Sequence, residues 1–143
     1  MHVRQANAEW KGNLTEGSGT ISTESGALAD VPYAFASRFE EEDGLNPEEL
    51  IGAALAGCFS MALSHDLAQA GHEPVRVATE AQVHFGKSDE GPAIVRIELI
   101  CEAEVPGIDA GTFRTFADKA KSGCPIARAL KAVPVDLEAA LIG

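Results

Sequence analysis

Cysteine is scarce and odd in number. The 143-residue chain has 3, at positions 58, 101 and 124. Such a set excludes the framework of a disulfide-stapled secreted domain. It fits a reducing compartment, where a cysteine is either core filler or a working thiol. Basic residues are also few, 11 against 22 acidic ones, for a formal net charge of -11. That balance argues against a nucleic-acid backbone or an anionic membrane as partner, since both would repel it. The most apolar stretch, Leu50 to Leu63, falls short of the ~18 residues of a membrane span. Met1 to Lys11 is polar and has no secretory signal pattern. A cytoplasmic chain is the expectation. His2, His65, His72 and His84 show no ligand spacing with the cysteines, so no metal site is expected. No glycine-rich phosphate motif joins a strand to a helix, and no cofactor is expected.

What remains is ordinary globular material. Apolar residues make up 45% and charged residues 23%, enough for a single domain over residues 1–143 with its own core. The first third reads as short strands punctuated by Gly12, Gly17, Gly19 and Gly26. Tyr33 to Phe39 alternates, which predicts a strand with Arg38 facing away from the aromatic side. Asn46, Pro47, Glu48 and Glu49 then form a helix start, and Gly71 a stop. Between Leu50 and Leu63 this helix is apolar nearly all round and rich in small residues, so it is expected to be buried on most sides. Two alternating strands follow, over Val77–Phe85 and Val95–Val105, with residues 87–92 as their hairpin connection. A helix over Ala110–Ser122 with Asp109 as cap, a short helix from Cys124-Pro125 and a last strand over Val133–Leu137 complete an α+β order.

The three cysteines differ in setting. Cys101 is in phase with the apolar face of its strand and reads as core. Cys124 precedes Pro125 and so falls at a helix N-cap, where a thiolate is favoured and the thiol's pKa is expected to fall. A turn cysteine without chemistry is the competing reading, and the sequence leaves both open. Cys58 lies mid-helix, where burial makes a thiol inert unless a cation reaches it. Arg38 is the candidate cation, and Glu48 a candidate partner for that arginine. Glu48 precedes Cys58 by ten positions, ~15 Å along one helix axis. Either the helix breaks between them, or the Glu48 near a given Cys58 comes from a second chain. The small-residue, apolar helix favours the second. His65 lies two turns beyond Cys58, too far for a direct Cys–His couple. Trp10 and Tyr33 are candidates for a pocket lining, although a single aromatic is more often packing.

Six runs, taken together, resemble the osmotically inducible protein C family. They are Ser22 to Gly26, Tyr33 to Glu40, Asn46 to Ala54, Cys58 to Leu63, Val105 to Asp109 and Ala120 to Pro125. They span essentially the whole chain in order. The contexts of Ser22–Gly26 and Arg38-Phe39-Glu40 place it nearer the branch of that name than the organic-hydroperoxide-resistance branch. Leu45 stands where the family often has Thr, and Gly57 where Ala is common.

The resemblance implies antiparallel sheets around a long buried central helix, in an intertwined homodimer with two active sites at the interface. It implies a thiol-dependent peroxidase that reduces organic hydroperoxides, and hydrogen peroxide less well. Cys58 matches the peroxidatic cysteine and Cys124 the resolving one. Arg38 and Glu48 match the charged pair that activates the peroxidatic thiolate, and Cys101 matches no catalytic position. On that basis Cys58 becomes a sulfenic acid, Cys124 closes a disulfide, and an external dithiol, with a lipoyl-type donor as candidate, reopens it. Phe59 and Met61 beside Cys58 are expected to favour organic peroxides. A non-catalytic dimer binding a small apolar ligand and a cysteine hydrolase using a histidine are the alternatives.

Overall fold

A computed structural model describes residues 1–143. The chain folds as two compact units, Met1–Glu49 and Leu50–Gly143. In the first, β1 (Ala6–Lys11), β2 (Ser18–Thr23) and β3 (Val31–Tyr33) form an antiparallel meander in that order. Its register sets Trp10 and Tyr33 on either side of Gly19. A Cβ at Gly19 would lie 2.6 Å from both rings, closer than any side chain tolerates. The bare backbone lets the rings pack over the middle strand, with centroids 5.3 Å apart.

The strand expected over Tyr33–Phe39 is not formed. β3 ends at Tyr33, and α1 (Phe35–Phe39) follows as a short helix. The apparent alternation hid an i, i+4 pair: Phe35 and Phe39 stack at 5.0 Å, a contact only a helix brings about. Ser37 fixes the turn, accepting from the Ala34 N–H and reaching the carbonyls of Ala34 and Leu45 with its hydroxyl. Arg38 therefore projects from a helix and not from a sheet face.

α2 (Pro47–Gln69) starts where Asn46 accepts from the Glu49 N–H at 2.8 Å, and it runs unbroken for 23 residues. Its end is closed by the His72 N–H on the Leu67 carbonyl around Gly71, whose φ is 90°. In the second unit α2 buries one stripe, Leu55, Phe59, Leu63 and Leu67, each 0% exposed. It does not bury the rest. Ala53, Ala54 and Gly57 are exposed and Met61 is 77% exposed, because one chain supplies cover for only one face. By length and composition α2 could cross a membrane. Its Leu55–Leu67 stripe is instead the centre of this unit's core. Truncating Phe59 to alanine is expected to cost about 3–5 kcal/mol.

β4 (Arg76–Ser88) and β5 (Gly91–Glu104) pair antiparallel through a tight turn at Asp89-Glu90. The last strand, β6, spans Val135–Ile142 and not Val133–Leu137. It pairs parallel to β5, so this sheet is mixed rather than purely antiparallel. Pro134 precedes the strand and gives its carbonyl to the Ile97 N–H. The inward faces of Ile97, Leu99, Cys101 and Ala103 meet the α2 stripe and Phe113, Ala117 and Ala120 of α3 (Ala110–Gly123) in one core. α4 (Pro125–Ala129) follows directly, with Cys124 as its N-cap.

The α3 start carries a testable charge. Asp109 accepts from the Thr112 N–H and hydroxyl, both at 2.8 Å. Those bonds hold its carboxyl below the usual carboxylate range. A depressed folded-state pKa means that the stabilisation is complete above the ordinary carboxylate range and is lost as pH falls through the folded value. Asp109→Ala is expected to lower the melting temperature by a few degrees at neutral pH and to make no difference in acid. Thermal melts across pH check both halves.

Candidate active site

In the second unit the fold brings together two cysteines far apart in sequence. Cys58 sits half-buried in the middle of α2, and Cys124 caps α4 with 1% of its surface exposed. The Ile126 N–H donates to the Cys58 sulfur at 3.4 Å, and the Ala127 N–H to the Cys124 sulfur at 3.4 Å. These are consecutive N–H groups at the start of α4, and the two sulfurs are close enough to influence one another. The two side chains are thus in direct contact, both unbridged.

The expected drop in the Cys124 pKa is overturned. Cys124 is the N-cap, as its place before Pro125 predicts, but burial pushes its thiol up, and the neighbouring Cys58 sulfur adds to the rise. The Ala127 and Ile126 N–H groups pull the other way and are outweighed. A five-residue helix offers little dipole to set against complete desolvation.

Cys101 stays in the core at 1% exposed, hydrogen bonded to Thr79, and burial pushes its thiol up. Ser60 on α2 donates to the same Thr79 hydroxyl at 2.7 Å. This is a satisfied buried polar chain, in keeping with the reading of Cys101 as core.

The first unit holds the charged pair. Arg38 on α1 donates from Nε and Nη2 to Glu48 Oε1, each at 2.9 Å. Glu48 is 6% exposed, the buried acid at the start of α2. The guanidinium also lies over the Phe39 ring, 5.2 Å from its centroid. It is therefore held between a carboxylate and an aromatic face, with its side chain 38% exposed.

Beside Arg38, in the same unit, Trp10, Leu14, Tyr33, Phe35 and Phe39 line a cavity of about 160 Å³. Its walls are mostly apolar, and it is small beside the ~300–1,000 Å³ of pockets for drug-sized ligands. From the sequence, Trp10 and Tyr33 are candidates for a pocket lining as well as for packing. The usable signal was the i, i+4 spacing of Phe35 and Phe39 next to Arg38. Phe59, expected to face a substrate, is 0% exposed and cannot do so; Met61 is exposed. The Ile126 N–H as a donor to Cys58 carried no sequence signal at all. His65 has no place in the cysteine contact, and no group of three or more His, Cys, Asp or Glu side chains is gathered to hold a metal.

Comparison with known proteins gives the arrangement a context. A family model described as OsmC-like protein matches residues 40–138. The peroxiredoxin OsmC of Escherichia coli (strain K12) is 54% identical over 129 residues, 90% of this chain and 90% of that protein. The organic hydroperoxide resistance protein of Xanthomonas axonopodis pv. citri (strain 306) is 37% identical over 90 residues, 62% of this chain and 61% of that protein. Among solved structures, the organic hydroperoxide resistance protein OhrB of Bacillus subtilis matches with a TM-score of 0.67 at 25% identity, covering 96% of this chain and 98% of that one.

Proposed function

Because the chain belongs to the OsmC-like protein family, on its OsmC branch, we propose that it is a thiol-dependent peroxidase that reduces organic hydroperoxides. The observation that supports this reading most is the contact of the Cys58 and Cys124 sulfurs. A thiol pair in contact suits two-electron reduction of a peroxide followed by disulfide closure. The Cys58 thiolate attacks the terminal peroxide oxygen. The S–O bond forms, the O–O bond breaks, and the alcohol leaves. Cys124 then displaces hydroxide from the sulfenic acid, which leaves as water, and an external dithiol restores both thiols by exchange. A cytoplasmic setting suits thiols that must stay reduced.

Arg38, held by Glu48, supplies the positive charge, and both come from a second copy of the chain. α2 is unbroken from Pro47 to Gln69, which removes the option of a break between Glu48 and Cys58. The rise of an α-helix then separates the two by ~15 Å along the axis. A homodimer that covers the exposed Ala53, Ala54, Gly57 and Met61 face of α2 resolves both facts at once. The site is then Cys58 and Cys124 of one subunit with Arg38 and Glu48 of the other. Glu48 acts as the positioning residue that aims the guanidinium.

The cavity beside Arg38 suits the organic part of the peroxide, and its size suits a compact group. kcat/KM is expected to be higher for cumene hydroperoxide than for hydrogen peroxide. Trp10→Ala is expected to lower that ratio by about tenfold, the equivalent of losing part of one aromatic contact. Peroxide consumption coupled to a dithiol measures it. No consumption at all would leave the ligand-binding dimer, and an acylated Cys58 would leave the hydrolase.

A further inference from the structure

The connection between β1 and β2, residues 12–17, is built around Trp10. The Trp10 indole N–H donates to the Asn13 carbonyl at 3.1 Å, and the Gly17 N–H donates to the same carbonyl at 3.0 Å. The Asn13 side chain closes the turn from within, where its Oδ1 accepts from the Glu16 N–H at 2.7 Å. The far arm returns at Gly17 with no room for a side chain. A Cβ there would lie 2.4 Å from the Lys11 and Asn13 carbonyls and 2.9 Å from the indole nitrogen. Leu14 follows Asn13 and takes no part in these bonds. Such tips favour polar residues, yet Leu14 is apolar and 55% exposed. It lines the cavity beside Arg38, together with Trp10, Phe35 and Phe39.

We propose that Leu14 determines which organic group this cavity accepts, favouring a compact aryl or branched group over an unbranched chain, and that Asn13 is the positioning residue that holds Leu14 and Trp10 in place. The proposal rests on the peroxidase reading for its place in turnover. Arg38 is the one charged residue in the lining, and the Trp10 N–H is already spent on Asn13. A ligand with oxygen at one end and carbon at the other therefore sets its oxygen towards the guanidinium and its carbon against the rings and Leu14. An apolar cavity of ~150 Å³ takes one benzene ring. This one, at about 160 Å³, has the same capacity. A compact group fills it and covers the Leu14 side chain. An unbranched chain with as many carbons outruns it, and must either displace Leu14 or leave its end in water. The turn bonds resist the first course, because moving Leu14 strains the Asn13 carbonyl that holds the indole.

The test uses the full reduced chain and the alcohols that peroxide reduction would release, which bind without reacting. Trp10 is the single tryptophan of the sequence, so its fluorescence reports on the cavity directly. Cumyl alcohol and n-nonyl alcohol, equal in carbon number, are titrated against it. The unsubstituted chain is expected to bind cumyl alcohol about tenfold more tightly. Leu14→Ala changes an exposed side chain and leaves the fold intact. It is expected to lower that ratio by about tenfold, the discrimination that a few methyl groups give in an apolar pocket. The kcat/KM ratio of cumene hydroperoxide to n-nonyl hydroperoxide should fall with it. Asn13→Ala frees the turn and is expected to lower the ratio in the same way. Asn13→Asp keeps the acceptor and should retain the preference, since Glu16 is exposed and turns away from the new charge. An unmoved ratio in Leu14→Ala, equal weakening of both alcohols, or an Asn13→Asp that behaves as Asn13→Ala would overturn the proposal. The expected alcohol ratios in a chain that consumes no peroxide would keep Leu14 as the binding determinant and overturn the peroxidase reading alone.

Discussion

Arg38→Ala is expected to slow the oxidation of Cys58 by about a hundredfold, the scale of removing one preorganised charged donor from a reacting centre. The expectation follows from how firmly the guanidinium is held. Two of its nitrogens sit 2.9 Å from one oxygen of buried Glu48, and the Phe39 ring lies beneath its central carbon. A donor fixed in that way loses little by reorganising when a thiolate and a peroxide oxygen arrive. Arg38→Lys keeps the charge but not the fork, and an intermediate rate is expected. Circular dichroism separates this from unfolding, since the alanine variant leaves the Glu48 carboxylate buried without its partner.

The same variant reports where the arginine comes from. If Arg38 serves the Cys58 of a second chain, a mixture of Arg38→Ala and Cys58→Ser subunits regains activity that neither parent has. Random pairing makes half of the dimers mixed, and each mixed dimer holds one complete site in two. About a quarter of the unsubstituted activity is expected. An arginine acting within its own chain predicts no recovery, and coexpression with two different tags measures the difference.

Cys58→Ser is expected to reduce peroxide consumption by three orders of magnitude or more, to the background of the buffer. A hydroxyl at that position has no accessible anion at neutral pH and cannot take up the oxygen. Cys101→Ala should retain activity, because that thiol is buried against Thr79 in the β5 face of the core. The contrast between the two cysteines is the sharpest that single substitutions in this chain offer.

Much of this was legible in the sequence where the signals are local. Asn46 and Asp109 cap the two long helices as their positions predict. The β4–β5 hairpin follows its alternation from Ile97 to Ala103, but its pairing shifts at His84/Phe85, beyond which Ile94 packs on the core and Val95 is exposed, and the connection expected over 87–92 tightens to Asp89-Glu90. The failures occur where a short segment answers to its neighbours. Phe35 and Phe39 fit a strand by alternation and a helix by spacing, and the Ser37 bond to the Leu45 carbonyl tips the balance. Alternation over Val133–Leu137 places β6 two residues early and ends it too soon, since Pro134 precedes the strand and its C-terminal half carries two small alanines at 139 and 140. Its parallel partner is a matter of topology that no periodicity records. For Cys124 the local signal was sound: it is an N-cap. The direction of its pKa was not, because burial to 1% exposure in the core, beside Cys58, depends on contacts between distant parts of the chain. The residue identities at the site came from the family resemblance. The structure adds which of them touch.

The most direct measurement is a thiol count on the reduced protein before and after one equivalent of cumene hydroperoxide, with the product mapped by peptide mass spectrometry. The account predicts the loss of two thiols of three per chain, a Cys58–Cys124 disulfide within one subunit, and Cys101 still reduced. Three thiols surviving the peroxide, or a disulfide that includes Cys101, would contradict it.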